Sequence, residues 1–243
     1  MTQAPGAGRV ARLVTMTVAL AIWSASGATL GMARQDAPTP PVAVGAGPVR
    51  ERSLAIVGRT VYGADAATMF GYLTAAIGLD PALLFTASPP SVQSARLTYV
   101  AEVALSSSAN RGDVTAFAGD GVLRIYVDDD AGAAWDDPAS FASGQLVAEF
   151  SLLLRDTMQR QAPGVGVVIG DERLTQLMAG EFTLDGVPYR FGQDGIEMRL
   201  RSAGALTGGG EDGPAPDLTV DLTGSVSVIA RETVPVSMGG SSP

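Results

Sequence analysis

Apolar residues recur at every second position through much of this chain, and that period constrains its fold more than any other feature. Residues 95–105 put Leu97, Tyr99, Ala101, Val103 and Leu105 on one face and Arg96, Thr98, Val100 and Glu102 on the other. Residues 122–127 set Leu123, Ile125 and Val127 against Val122, Arg124 and Tyr126. Residues 146–155 set Leu146, Ala148, Phe150, Leu152 and Leu154 against Val147, Glu149, Ser151 and Arg155, and Ile196, Met198 and Leu200 share a face further on. A two-residue repeat is the signature of a strand with one face buried.

Turn signals separate these segments. Asp185-Gly186, between EFTL and VPYRFG, predicts a type I′ hairpin, and Asp194-Gly195 links the second of those strands to IEMRLR. Asp120-Gly121 is expected to be another turn of this kind. Arg111-Gly112-Asp113 reads as a turn between strands rather than as an adhesion motif. Residues 64–85 mix helix-favouring alanines with Gly71, Gly78 and the Phe70/Tyr72 pair, and residues 67–77 are read as a strand. Several strands are apolar on both faces, which suits a closed or two-layer arrangement better than a single open sheet. The expected fold is all-β, an antiparallel up-and-down (meander) barrel or a two-layer sandwich, preceded by a signal peptide.

The signal peptide is read from residues 1–33. Arg9 and Arg12 precede the apolar run LVTMTVALAIW, too short to span a bilayer, and Gly31-Met32-Ala33 fits cleavage after Ala33. Ser26-Gly27-Ala28 is an alternative cleavage site, and an uncleaved N-terminal anchor is the alternative fate. Without an Arg-Arg pair the general secretory route is favoured, which places the mature chain in the periplasm or outside the cell. A Pro/Ala/Gly linker is expected over 34–48, a β-domain over 49–206, a Gly/Pro linker over 207–216, and one or two C-terminal strands with a frayed tail over 217–243.

The composition narrows the chemistry. The chain has no histidine, no cysteine and no lysine. That removes Ser-His-Asp and Cys-His catalysis, lysine Schiff bases, disulfides, a lipoprotein anchor and an ordinary zinc site. The formal net charge is −9. Cleavage after Ala33 would take it to about −11, so binding to nucleic acid or to anionic lipid is not expected.

Two constellations remain. Asp128, Asp129, Asp130, Asp136 and Asp137 crowd one loop, whose oxygens would take calcium if they wrapped an ion. The same residues also read as a solvated turn. No other cofactor is expected. Trp135, inside that loop, is read as capping the core, with carbohydrate or partner contact as the alternative. Second, Glu102, Glu149, Arg124 and Arg199 lie mid-strand. In a barrel they would meet in the lumen as Glu–Arg pairs at the polar end of a ligand cavity walled by Tyr99, Tyr126, Tyr189 and Phe150. In a sandwich the charged positions would instead be the solvent face.

The leading expectation is a non-enzymatic exported barrel that binds a small apolar ligand or a partner. One alternative is an enzyme using only carboxylate, Tyr or Arg chemistry, a cyclase, an isomerase or a glycan-cleaving enzyme, with Glu102 and Glu149 as its candidate acids. The other is a structural or adhesive module rigidified by calcium.

Overall fold

The computed structural model of the chain describes residues 40–208 and 218–230. The expected signal peptide, the 34–39 part of the first linker, the 209–216 part of the second linker and the expected frayed tail over 231–243 lie outside the described residues.

Eight strands form a closed antiparallel barrel. They are β2 (Arg52–Tyr62), β3 (Ala66–Ala76), β4 (Leu97–Arg111), β5 (Val114–Val127), β6 (Gln145–Ala162), β7 (Val165–Ala179), β10 (Glu197–Gly208) and β11 (Leu218–Ala230). Each pairs with the next in that order, and β11 returns to β2. The C-terminal strand is therefore the eighth stave, hydrogen-bonded on both edges, and the ring leaves no edge open. Between β7 and β10 the chain makes a short hairpin, β8 (Glu181–Leu184) and β9 (Val187–Phe191). It pairs with β1 (Val42–Val44), which runs parallel to β9.

The alternation seen in the sequence points as expected. Leu97, Tyr99, Ala101 and Val103 of β4, Leu123, Ile125 and Val127 of β5, and Met198 and Leu200 of β10 are all buried in one apolar core. The three-stranded sheet adds Val44, Phe182, Leu184, Tyr189 and Phe191 to the same core. Gln176 ties the two sheets together: its amide donates to the Phe191 carbonyl at 2.8 Å and accepts from the Gln193 N–H at 3.0 Å. Near the ends of β2 and β5, Tyr62 stacks on Phe117 with centroids 4.7 Å apart.

Asp185-Gly186 makes the expected tight turn, with φ of 48° and 81°. Asp120-Gly121 does not turn. Both residues lie within β5, paired with Ala104 and Val103, and the chain reverses earlier at Gly112, where φ is 60°. Gly121 serves close approach instead, because a Cβ there would run into the Glu102 carbonyl oxygen. Outside the barrel, the loop after β5 folds back over β3. Phe141 meets Phe70 at 5.2 Å and Trp135 at 5.3 Å, and Thr98 donates to the Phe141 carbonyl at 2.7 Å. Trp135 is thus the lid of a satellite apolar cluster.

Candidate functional site

Strand alternation carries two carboxyl groups into the barrel. On β6 the inward positions run Ala148, Phe150, Leu152, Leu154, Asp156 and Met158, and on β7 they run Val168, Gly170, Glu172, Leu174 and Gln176. Asp156 is 3% exposed and Glu172 is 1% exposed. Across the lumen β2 contributes Thr60 and Tyr62, β10 contributes Ser202 and β4 contributes Tyr99, all buried. Gly170 makes the gathering possible: a Cβ there would collide with the Ser202 hydroxyl and with the Glu172 carboxyl.

The hydrogen bonds supply half of what these groups need. The Tyr62 hydroxyl donates to Asp156 Oδ2, and the Ser202 hydroxyl donates to Glu172 Oε1 at 3.1 Å. Four buried oxygens have no such partner: Asp156 Oδ1, Glu172 Oε2, Thr60 Oγ1 and the Tyr99 hydroxyl. Among the described residues no ion pair reaches the two acids; every arginine that forms one sits elsewhere.

Two uncompensated negative charges in such a place are too costly to coexist. Burial, reinforced by the charge of Asp156, pushes the Glu172 carboxyl up to about 9. Burial also raises Asp156, against the opposing hydrogen bond from Tyr62. Tyr62 and Tyr99 are both raised, chiefly by burial and then by the neighbouring carboxylates. The two carboxyls lie side by side against Gly170, where a Cβ would run into Glu172 Oε1 and sit 2.9 Å from Asp156 Oδ1. Glu172 is therefore the member of the pair that holds its proton through neutral pH.

The lumen cavity, walled by Leu54, Leu73, Tyr99, Phe150, Leu174 and Leu200 among others, measures about 20 Å³. That holds roughly one water. The dyad is a buried polar island apart from that cavity, whose walls include neither Asp156 nor Glu172.

Of the residues expected to line a ligand cavity, Tyr99 and Phe150 are in the lumen and Tyr189 is in the three-stranded sheet, stacked on Phe182 at 5.6 Å. Glu102, Arg124, Tyr126, Glu149 and Arg199 are not in the lumen. With Leu123, Ile125 and Val127 facing in, the pleat forces Arg124 and Tyr126 out, and the same holds for Glu149 between Ala148 and Phe150. Arg124 bonds Glu149 at 2.8 Å and Glu102 at 3.4 Å on the outer wall, and the Glu149 bond holds its guanidinium above its ordinary value. Arg199 grips both oxygens of Asp171, also outside. An enzyme built on Glu102 and Glu149 inside a cavity is overturned by this placement.

Asp156 and Glu172 are the acids that reading the sequence missed. The signal was present. Extending the 146–154 alternation by one step lands on Asp156, and Glu172 lies two residues before Leu174 on a face bounded by Val168.

In the acidic loop, Asp128 Oδ1 accepts from the Asp130 N–H at 3.0 Å and Oδ2 from the Ser143 hydroxyl at 3.0 Å. Asp137 accepts from the Ala139 N–H at 3.2 Å, while Asp129, Asp130 and Asp136 face solvent. Among the described residues no three acidic side chains converge in a way that would hold a metal ion. On the other side of Trp135, a groove of about 500 Å³ runs over the outer wall of β10, β11 and β2. The Arg59–Asp221 ion pair lines it at 2.8 Å, and the Arg59 guanidinium lies 5.2 Å from the Trp135 ring centroid. Compared with known proteins, the chain matches no family model, no curated protein and no solved structure.

Proposed function

We propose that the protein is an exported, non-enzymatic binding module that engages its ligand on the outer wall of the barrel, in the periplasm or outside the cell. One contrast carries this reading: about 20 Å³ in the lumen against about 500 Å³ in the Trp135 groove. Ligand pockets occupy roughly 300–1,000 Å³, so a small apolar ligand has no room inside the closed barrel and the groove has the right size. The groove's chemistry supports a ligand with one apolar face and a hydrogen-bonding edge, such as a saccharide. Tyr72 and Trp135 form its aromatic end, Ala203 and Ala205 keep its floor low, and Arg59 with Asp221 offers donors and an acceptor side by side. The outer wall also argues against a lipid-embedded barrel. It carries Arg124, Glu149, Arg173 and Arg201 mid-strand, where a lipid-facing band would be apolar.

Trp135 is the only tryptophan outside residues 1–33, so in a chain cleaved after Ala33 intrinsic fluorescence reports on this groove alone. Titration with a panel of neutral and acidic oligosaccharides is expected to give a saturable change that Arg59→Ala abolishes. A panel with no saturating member, or an organic molecule retained inside the barrel in native mass spectra of both wild type and Arg59→Ala, would overturn the reading.

A further inference from the structure

The outer face of β7 lies apart from the Trp135 groove and is unlike the rest of the barrel wall. Its outward residues include Ile169 at 64% exposure and Leu177 at 53%, with Asp171 and Arg173 between them. The register sets Arg173 beside Arg199 and Asp171 beside Arg201, and Leu153 faces Arg173 from β6. Arg199, Arg201 and Arg155 together hold the Asp171 carboxyl below its usual range, Arg199 most strongly. Arg199 is matched by Asp171, while Arg155, Arg173 and Arg201 form no ion pair among the described residues. Arg155 and Arg173, which form no ion pair among the described residues, therefore line a concavity of about 300 Å³ together with the Arg199–Asp171 pair, over Leu153 and Ile229, and Arg201 stands next to Asp171 on β10, on a chain whose net charge is −9. Exposed aliphatic residues set among arginines are the composition of an interface.

The acidic loop is the complementary feature, and the barrel keeps the two apart. The loop packs over β3 through Phe141 and Phe70. In the closed ring, β7 lies four strands from β3 in either direction, on the opposite wall. Asp129, Asp130 and Asp136 project there as solvent-facing carboxylates that cap no turn. The loop and the arginines of the β7 wall therefore stand on opposite sides of one molecule. Each copy carries one acidic pole and one basic pole on opposite sides.

We propose that the β7 wall binds the acidic loop of a second copy of this chain, in a head-to-tail contact. Arg155, Arg173 and Arg201 receive the carboxylates of Asp129, Asp130 and Asp136, and guanidinium groups suit that task because they can take a carboxylate through two parallel N–H bonds. Ile169 and Leu177 are covered by the incoming loop. The contact uses different surfaces on the two partners, so it does not close on itself as a two-fold dimer and it propagates. It forms between charges at the surface, so salt weakens it.

Sedimentation velocity of the exported chain is the test. The wild type is expected to gain mass with concentration at 20 mM salt and to return to monomer at 500 mM, with association weakened about tenfold or more. An Arg173→Glu/Arg201→Glu variant keeps its loop and loses its basic wall. An Asp129→Asn/Asp130→Asn/Asp136→Asn variant keeps its wall and loses its loop. Each alone is expected to stay monomeric at low salt. Mixed, they are expected to form 1:1 dimers that grow no further. All the substituted side chains are outside the core, and unchanged far-UV spectra would establish that both variants fold. A wild type that stays monomeric at low salt, a single variant that still assembles, or a mixture that fails to pair would each overturn the proposal. So would saturable binding of polyglutamate to the β7 wall of a wild type that does not self-associate.

Discussion

The barrel holds acids in two opposite ways. On the outer wall Glu149 and Glu102 share Arg124, half in water, and Asp171 is gripped by Arg199. In the lumen Asp156 and Glu172 have no cation and are served only by hydroxyl groups. On the outer wall water and arginine share the work of stabilising a carboxylate. The inner pair gives up one charge, because retaining a proton costs less than desolvating a second carboxylate. The outer pairs are adjustable, while the island depends on every donor around it.

Substitutions that break this contrast should rank by how directly they strike the island. Gly170→Val drives a branched side chain into the Ser202 hydroxyl and the Glu172 carboxyl and is expected to cost about 3 kcal/mol or more, read from the urea midpoint. The pH dependence comes next. Glu172 is raised from its ordinary 4.5 to about 9, so between those values the folded chain holds a proton that the unfolded chain releases. Stability is therefore expected to fall as pH rises through that window, by about 1.4 kcal/mol per pH unit, and to fall again above pH 10.0, where buried Tyr62 and Tyr99 hold protons that the unfolded chain releases. Glu172→Gln should flatten the slope; a slope that survives the substitution would place the proton elsewhere.

Tyr62→Phe is a smaller cut. It keeps the stack on Phe117 but leaves Asp156 Oδ2 without its donor, and about 1–3 kcal/mol should be lost in chemical denaturation. Glu149→Gln on the outer wall should cost less than about 1 kcal/mol, with an effect that shrinks in salt. An outer substitution as damaging as Tyr62→Phe would erase the distinction between the two regions.

Much of the architecture was legible in the residues. The inward faces of β4, β5, β6 and β10 follow from alternation alone, as do the Asp185-Gly186 turn and the strand at β3. Trp135 was correctly expected to cap apolar side chains. The candidate site was legible in its parts and not as a whole. Asp156 and Glu172 each occupy an inward position of a strand, but nothing local says that Tyr62, 94 residues from Asp156, and Ser202, 30 residues from Glu172, meet them. The Asp120-Gly121 error has the same origin. A glycine that makes room for a neighbouring strand looks, in one dimension, like a glycine that turns the chain.

The sequence by itself determined that this protein is built of strands, which way most side chains face along them, and that its chemistry excludes histidine, cysteine and lysine. Those properties are set by neighbours one or two residues away. Only the tertiary structure decided that the strands close into a ring, that their inward side chains pack into one core, and that two acids are buried together inside it. Closure depends on β11 finding β2 across more than 150 residues. The fate of a carboxyl group depends on the dielectric and the donors that this closure assembles around it.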